Sequence, residues 1–277
     1  MRLVKLDRTK EKLPVIGQGT WGIKAKKSKD YYDQWKKSLK HGLELGMTHI
    51  DTAEAYGFGK SEQIVGEVIK EFGRDEVFVT SKLLPTHFRL SQMKSAADKS
   101  LKRLGIKYFD LYLIHYPIPF IPIKRNMQLL EELLAEGKTR YIGVSNFSIE
   151  KFQKAQEFLK KAELVNIQIR INVTEQKHIT NSLSFYKKQG VTVTAYSPLG
   201  HKGLINIKKD LRNKLEKIAK KHNASIHQIA LAWVVNIKGV ITISKAFQLN
   251  HIEANAAAGE IVLSSEEMNV IADNQFK

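Results

Sequence analysis

The 277-residue chain has no cysteine, and this absence excludes disulfides, a thiol nucleophile and zinc sites built on thiolates. Of its six prolines, three fall in the most apolar stretch, residues 108–123, which also contains Asp110 and His115. A stretch interrupted in this way cannot be a membrane span. In residues 1–7, apolar and charged residues alternate, which is unlike a signal peptide. We therefore expect a cytoplasmic protein.

The sequence has a large excess of positive charge, with a formal net charge of +17. Its lysines are spread over nearly every predicted helix, which is typical of solvated outer faces. No basic run is interleaved with stacking aromatic residues, so the sequence indicates no specific nucleic-acid partner, and a basic protein that binds nucleic acid is kept as an alternative. A positive field of this kind would attract an anionic cofactor.

One pattern occurs five times along the chain. A helical stretch stops at a glycine, a short apolar run follows, and the run ends on a polar residue. The glycines are Gly46, Gly73, Gly105, Gly137 and Gly190. The polar residues that end the runs are Asp51, Lys82, His115, Ser145 and Tyr196. A glycine just past a helix supplies a left-handed cap, and strands that alternate with helices form a parallel sheet. The polar residues should therefore meet at one face.

Eight such strands can close into a barrel. We predict an α/β fold, a (β/α)8 TIM barrel, with residues 1–277 as its single domain. Segments 2–6 and 13–16 should form an N-terminal β-hairpin that plugs one end. Helices are expected over 148–160 and 175–189, among others, with extra helices late in the chain.

Two glycine motifs suggest nucleotide binding by other folds, and both fail. Residues 17–22 (GQGTWG) match a dinucleotide fingerprint, but a lysine-rich loop follows where that fold requires a helix. Residues 59–61 (GKS) resemble the end of a phosphate-binding loop, but the glycine that should begin the loop is replaced by Glu54.

The most informative string is Asp51–Gly57 (DTAEAYG). Asp51 ends a strand, and Tyr56 lies in the loop above it. Lys82 and His115 end the next two strands, so the four side chains should converge. A phenol with a pKa of about 10 is a weak acid at neutral pH. We expect the ammonium of Lys82 to lower the pKa of Tyr56, and Asp51 to keep Lys82 charged.

A proton donor of this kind suits a carbonyl oxygen, to which His115 can donate a hydrogen bond. The nucleophile or hydride is missing from this set. Because the sequence offers neither cysteine nor a metal-ligand cluster, a bound reduced nicotinamide is the natural source.

These residues resemble the aldo-keto reductase family. The signature segments appear in order, from about residue 3 to 275. They are Gly17–Trp21, Asp51–Gly57, Thr80–Leu83, Leu113–Pro117, Gly143–Phe147, Ala195–Leu199 and Lys245–Asn255. The combination is specific to the family, whereas no single segment is.

The resemblance implies a role for each matched residue. Tyr56 would be the general acid, Asp51 and Lys82 its tuning pair, and His115 the group that orients the carbonyl. The cofactor-binding residues would be Thr20, Trp21, Asp51, Ser145, Asn146, Gln168, Tyr196, Ser197, Leu199, Lys245, His251 and Asn255. The substrate-binding residues would be Trp21, Tyr56, Leu84, His115, Tyr116 and Phe120.

Several positions depart from patterns common in the family. Arginine often stands in place of His251, and serine or threonine in place of Ala246. Both changes weaken recognition of a 2′-phosphate. The expected cofactor is NADP(H), because Lys245 is kept, with NAD(H) or dual use open. Leu84 replaces a frequent tryptophan and should widen the pocket. Ile169 and Arg170 also differ from common patterns.

The resemblance implies an NADP(H)-dependent oxidoreductase, of the alcohol dehydrogenase (NADP+) type, that reduces aldehydes or ketones by direct hydride transfer. Its partner would be a small carbonyl or alcohol, with no membrane and no metal. The chain would be a monomer or a weak homo-oligomer. Two alternatives remain. One is a Schiff-base aldolase that uses Lys82, and the other is a barrel that senses nicotinamide redox state without turnover.

Overall fold

Residues 1–84, 86–200 and 203–272 are described by a computed structural model of the chain. In chain order, its strands are β1 (Leu3–Lys5), β2 (Lys12–Pro14), β3 (Ile16–Gly19), β4 (His49–Asp51), β5 (Phe78–Leu83), β6 (Phe109–Ile114), β7 (Thr139–Ser145), β8 (Leu164–Arg170), β9 (Thr192–Tyr196) and β10 (Val240–Ser244). Strands β3 to β10 form a closed barrel in which each strand pairs with the next and β10 pairs with β3. All eight pairings are parallel. The predicted (β/α)8 barrel is confirmed.

Helices alternate with these strands along the chain. They are α1 (Lys29–Glu44), α2 (Lys60–Phe72), α3 (Leu90–Leu104), α4 (Ile123–Ala135), α5 (Ile149–Phe158), α6 (Lys177–Asn181), α7 (Leu183–Lys188), α8 (Lys209–Lys221), α9 (Ile226–Asn236), α10 (Leu249–Ala258) and α11 (Ser265–Ala272). Short 3-10 turns cover Tyr56–Gly59 and Arg74–Glu76. Two helices, α8 and α9, precede β10, and two more follow it, so the late extra helices are present. Among the described helices, none has both the length and the apolarity required to cross a bilayer.

The main core lies between the barrel and its helices. Val79 on β5, Val144 on β7 and Val68 on α2 belong to one cluster of buried apolar side chains. At the end of α3, Gly105 has a φ of 64°, and its N–H bonds the carbonyl of Leu101. This left-handed conformation turns the chain back toward β6 at no cost to a side chain.

The N-terminal hairpin closes the amino-terminal end of the barrel. Strands β1 and β2 pair antiparallel. Leu6 and Leu13 are buried in a separate apolar cluster with Leu111, Val165 and Ile241, which lie on three strands of the barrel. The predicted plug is therefore confirmed, and it leaves the opposite end as the open mouth.

Element boundaries differ from the predictions in three places. Ile16 begins the barrel strand instead of ending the hairpin, because it pairs with Thr242 of β10. The helix predicted over 175–189 is two helices divided at Ser182, whose φ is −140°. The Ser182 hydroxyl donates to the carbonyl of His178 at 3.2 Å, and the Ser182 N–H donates to the same carbonyl at 3.0 Å.

The third difference is the end of α5, which stops at Phe158 and not at residue 160. The N–H groups of Lys160 and Lys161 both donate to Glu131 Oε1, at 2.6 and 2.8 Å. A carboxylate from α4 thus takes the backbone donors that would have continued the helix.

Candidate active site

The polar strand ends meet at the open mouth of the barrel. Asp51 is the last residue of β4, Lys82 lies near the end of β5, and His115 follows β6. Ser145 ends β7 and is in register with Gln168 of β8. Because all eight strands are parallel, their carboxyl ends share one face, which is the functional face of such barrels.

Lys82 and Asp51 form an ion pair without solvent access. The Lys82 ammonium donates to Asp51 Oδ1 and, at 2.9 Å, to the carbonyl of Thr52. The side chains of Lys82 and Asp51 are 0% and 1% exposed. Burial lowers the pKa of Lys82, and the Asp51 carboxylate opposes that shift. Gln168 Nε2 donates to the other oxygen, Asp51 Oδ2, at 2.8 Å, so both carboxylate oxygens are occupied.

Tyr56 lies directly above this pair, in the 3-10 turn that follows β4. The Lys82 ammonium is 5.1 Å from the centroid of the Tyr56 ring. The ring also meets the His115 imidazole edge to face, at a centroid distance of 5.6 Å. Tyr56 is therefore in contact with both Lys82 and His115, as the sequence predicts.

The electrostatics of Tyr56 differ from the prediction. Burial raises the pKa of Tyr56 well above its usual value, and the Asp51 carboxylate raises it further. The expected lowering by Lys82 is not found, since the influences that dominate this pKa, burial, Asp51 and Tyr196, all raise it. The phenol therefore keeps its proton throughout the neutral range.

His115 is held in its neutral form. Burial lowers its pKa to about 3, and the positive charge of Lys82 contributes to the shift. Its Nδ1 is buried and has no hydrogen-bond partner within the described ranges. A neutral imidazole carries one N–H donor, and this donor is available at neutral pH.

A network of buried hydroxyls supports the floor of the site. Ser61 Oγ donates to Thr20 Oγ1 at 2.7 Å and lies 2.9 Å from Thr52 Oγ1. Thr20 in turn donates to the carbonyl of Asp51 at 3.0 Å. Thr20 is fully buried. It thus supports the Asp51 backbone from below and does not line the cavity.

A second group of amides and hydroxyls adjoins the ion pair. Asn146 Nδ2 donates to Ser145 Oγ at 3.0 Å and to the carbonyl of His115 at 3.2 Å. The Tyr196 hydroxyl donates to Asn146 Oδ1 at 2.8 Å. Asn146 has a φ of 60°, an uncommon conformation for a non-glycine residue. These contacts fix the orientation of the Asn146 amide.

A cavity of about 540 Å³ opens above these groups. The predicted site residues that line it are Trp21, Asp51, Tyr56, His115, Tyr116, Ser145, Asn146, Gln168, Tyr196, Ser197, Leu199 and Lys245. At one end of it, the Lys245 ammonium lies 5.3 Å from the centroid of the Trp21 ring. We call this space the mouth cavity.

Six predicted residues lie outside the mouth cavity. Lys82 and Thr20 are buried beneath it. Leu84 follows β5 and is partly buried, Phe120 is 82% exposed, and His251 and Asn255 are on α10. Of these two, His251 is exposed and Asn255 is buried.

The sequence did not point to part of the cavity wall, nor to two residues next to it, Glu54 and Arg170. The wall also includes Gly19, Ala55, Pro198, Gly200, Gly203, Ile243 and Ser244. Glu54 accepts hydrogen bonds from Leu84 N at 3.1 Å and from His87 Nε2 at 3.1 Å, which ties the loop after β5 to the loop after β4. Glu54 lies inside the Asp51–Gly57 string, and this position in the sequence could have identified it as a site residue. Arg170, beside Tyr196, gave only its unusual residue type as a signal.

Comparison with known proteins agrees with this geometry. The sequence profile of the Aldo/keto reductase family matches residues 15–274. Methylglyoxal reductase YeaE of Escherichia coli (strain K12) is 35% identical over 265 residues, which span 94% of this chain and 90% of that protein. Glyoxal reductase of Bacillus subtilis (strain 168) is 36% identical over 237 residues, or 85% and 81% of the two chains.

Solved structures with the same fold include proteins above 30% identity. The thermostable aldo-keto reductase Tm1743, solved with the inhibitor epalrestat, has a TM-score of 0.93 and 38% identity, and the alignment covers 99% of both chains. An aldo/keto reductase from Klebsiella pneumoniae, in complex with NADP and acetate, has a TM-score of 0.87 and 33% identity over 95% and 91% of the two chains. With the profile match and the barrel-mouth geometry, these similarities establish that the chain belongs to the aldo-keto reductase family.

Proposed function

We propose that this protein is an NADP(H)-dependent oxidoreductase that reduces aldehydes or ketones to alcohols. The observation that carries the proposal is the pairing of two neutral proton donors, Tyr56 and His115, at the wall of the mouth cavity. Their rings are 5.6 Å apart. Beneath them lies the buried ion pair of Asp51 and Lys82. Such a set suits a carbonyl oxygen that gains negative charge.

The donor set of the mouth cavity fits a nicotinamide cofactor. Because the amide nitrogen of Gln168 is committed to Asp51, its oxygen is left to accept a hydrogen bond. With Ser145 and Asn146, it would hold the carboxamide, and Tyr196 would stack on the ring. Ser197 and Leu199 would follow the diphosphate, and Lys245 would pair with the 2′-phosphate. Trp21, His251 and Asn255 complete the proposed set, and Thr20 supports it from beneath through its hydrogen bond to Asp51. When bound, the reduced cofactor supplies a hydride.

The protein's own groups would manage the proton. His115 donates a hydrogen bond to the carbonyl oxygen and orients it. Tyr56 keeps its proton at neutral pH, because burial raises its pKa, and gives it up as the oxygen becomes negative. The ammonium of Lys82 then stabilises the phenolate, while Asp51 keeps that ammonium in place.

The proposed substrate wall consists of Trp21, Tyr56, His115 and Tyr116, which line the mouth cavity, and of Leu84 and Phe120, which lie outside it in this structure. Two relatives, the methylglyoxal reductase of Escherichia coli and the glyoxal reductase of Bacillus subtilis, are named for small dicarbonyl compounds. We infer that small aldehydes are a reasonable first panel. We also propose that residues 1–277 form one domain, since one barrel and its plug account for the elements described.

The test is NADPH oxidation in the presence of a panel of aldehydes and ketones, followed by absorbance. The Tyr56→Phe variant should lose about 100-fold or more in kcat while NADPH still binds. Tyr112→Phe is the matched control, since the Tyr112 hydroxyl is fully buried and has no hydrogen-bond partner in the described part of the chain. No turnover in the unaltered protein, or full turnover in Tyr56→Phe, would refute the proposal.

Two alternative functions predict different results. A Schiff-base aldolase needs a neutral Lys82, and burial does lower the pKa of that lysine. Its contact with Asp51 and its position beneath the cavity oppose this role. Borohydride trapping of a carbonyl compound on Lys82 would favour it. Binding of NADPH without turnover of any carbonyl would favour a redox-sensing barrel instead.

A further inference from the structure

Ser197 has a strained backbone conformation in the wall of the mouth cavity. It follows β9 directly, and it lines the cavity together with Pro198, Leu199 and Gly200. Its φ is 51°, in the left-handed region that residues with a Cβ rarely adopt. The residue before a proline is restricted as well, and Pro198 follows, so two local preferences oppose this conformation. Contacts with neighbouring groups must therefore hold Ser197 in place.

The carbonyl oxygen of Ser197 accepts two hydrogen bonds. One comes from the backbone N–H of Gly200 at 2.9 Å and closes the turn over residues 197–200. The other comes from Nδ2 of Asn172 at 3.2 Å. Asn172 is the second residue after the end of β8, and it is 2% exposed. This second bond ties the turn to a different, buried segment of the chain.

The side-chain amide of Asn172 is fixed in its orientation. Its Oδ1 accepts hydrogen bonds from the N–H and the hydroxyl of Thr174, at 2.9 and 2.7 Å. The backbones of Asn172 and Glu175 exchange two further hydrogen bonds, at 3.3 and 3.0 Å, and so close a tight turn. Because the amide oxygen is committed to Thr174, the amide presents its nitrogen to Ser197.

We propose that Asn172 is a positioning residue for the cofactor and acts by holding Ser197 in its left-handed conformation. This inference rests on the proposed function, in which Ser197 and Leu199 follow the diphosphate. With Asn172 in place, the turn over residues 197–200 has its shape before the cofactor arrives, and no binding energy goes into ordering it. Without Asn172, Ser197 relaxes toward extended backbone, and the cofactor must restore the turn at a cost in affinity.

Asn166 offers a matched control within β8. It is 1% exposed, and its Nδ2 donates to the carbonyl of Thr192 at 3.1 Å and to Thr194 Oγ1 at 2.8 Å. Asn166 and Asn172 thus each join the β8 segment to a backbone carbonyl of the β9 segment. Thr192 begins β9, at the end opposite the mouth, and neither Asn166 nor Thr192 lines the mouth cavity. Asn166 therefore shares the structural contact of Asn172 without its connection to the cavity wall.

The experiment measures the dissociation constant of NADPH by fluorescence titration of the cofactor-free protein, and it needs no turnover. Asn172→Ala should weaken NADPH binding by about tenfold, the scale set by one strained residue. Asn166→Ala should lower stability toward urea, yet its dissociation constant should stay within about twofold of that of the unaltered protein.

Two replacements of Ser197 separate its backbone from its hydroxyl. Ser197→Gly removes the strain and the hydroxyl, whereas Ser197→Ala removes the hydroxyl alone. Added to Ser197→Gly, Asn172→Ala should change the dissociation constant by less than about threefold, because glycine adopts a left-handed conformation without strain. Added to Ser197→Ala, it should retain its effect of about tenfold. The loss of the Thr174 contacts is common to both backgrounds and cancels from the comparison.

A role of Asn172 in folding alone gives a different result. Equal effects of Asn172→Ala in the two Ser197 backgrounds, or equal weakening by Asn166→Ala, overturn the inference. So does an effect of less than about threefold in the otherwise unaltered protein. If Asn172→Ala does not fold, as judged by circular dichroism, Asn172→Ser decides by the same comparison, and failure of both to fold also overturns the inference. Failure of the proposed function is a separate outcome, in which the unaltered protein does not bind NADPH.

Discussion

The ammonium of Lys82 donates a hydrogen bond to the carboxylate of Asp51 where neither side chain reaches solvent. Removal of one partner leaves a buried charge without compensation. We expect Asp51→Asn and Lys82→Met each to lower the free energy of unfolding by about 3–5 kcal/mol. The double variant should recover about 2 kcal/mol or more of the summed loss, since no lone charge remains. Urea unfolding measures all four proteins, and additive losses would contradict the coupling.

The low pKa of His115 predicts the acid side of the pH–rate profile. Because burial lowers that pKa to about 3, the imidazole stays neutral as the pH falls through the mildly acidic range. For carbonyl reduction, kcat/KM should therefore show no histidine limb between about pH 5 and 8. A limb near the ordinary histidine value of about 6.5, absent from His115→Gln, would show that the imidazole is charged.

His49 predicts how stability responds to acid. Its side chain is buried on β4, its Nε2 lies 2.9 Å from Thr80 Oγ1, and burial lowers its pKa to about 4. Between the ordinary histidine pKa and this value, the unfolded chain binds a proton that the folded chain does not. The free energy of unfolding therefore decreases as the pH is lowered. The loss attributable to His49 should reach about 3 kcal/mol by pH 4. Urea unfolding should be less pH-dependent in His49→Gln, and an unchanged dependence would contradict the assignment.

His251 tests the proposed 2′-phosphate site. Imidazole cannot grip a phosphate with two parallel hydrogen bonds as arginine does. We expect His251→Arg to tighten NADPH binding by about tenfold. NADH is the built-in control because it lacks the 2′-phosphate, and its dissociation constant should stay within about twofold. Equal gains for both cofactors would place the effect elsewhere.

Gly57 tests whether the position of Tyr56 depends on a close backbone approach. Gly57 has a φ of 57°, and a Cβ there would lie 2.6 Å from the carbonyl oxygen of Ile23. We expect Gly57→Ala to lower kcat by about 100-fold, since a shift of about 1 Å in a catalytic group has this effect.

Gly105→Ala is the matched control for that variant. Gly105 has a similar φ of 64°, but nothing lies within 4 Å of the added Cβ. It should lose about 1–2 kcal/mol of stability through backbone strain and no activity. Similar kcat values for the two variants would show that contact with Ile23 does not position Tyr56.

The sequence predicts the barrel because a helix, a glycine and an apolar run that ends on a polar residue recur five times, as at Asp51 and Lys82. It does not predict how far solvent is excluded from those ends. The pKa of Tyr56 illustrates this, because its direction is set by burial and by Asp51, which no spacing reveals. Thr20 likewise stands in a signature segment, yet its hydroxyl is used beneath the site.

The sequence also does not predict contacts between segments that are distant in the chain. Arg170 was notable only as an unusual residue, and its position beside Tyr196 depends on the register of β8 and β9. The division of α6 from α7 at Ser182 similarly reflects a local change of backbone conformation, which the apolar periodicity of the segment does not reveal.

Closure of the barrel has a consequence for how the protein behaves in a crowded solution. Each of the strands β3 to β10 has a neighbour on both sides, so the barrel offers no unpaired edge to another chain. Among the described strands, β1 and β2 are the ones with a free side, and each is three residues long. With a net charge of +17 adding mutual repulsion between copies, strand-mediated aggregation should start from unfolded chains and not from the native barrel.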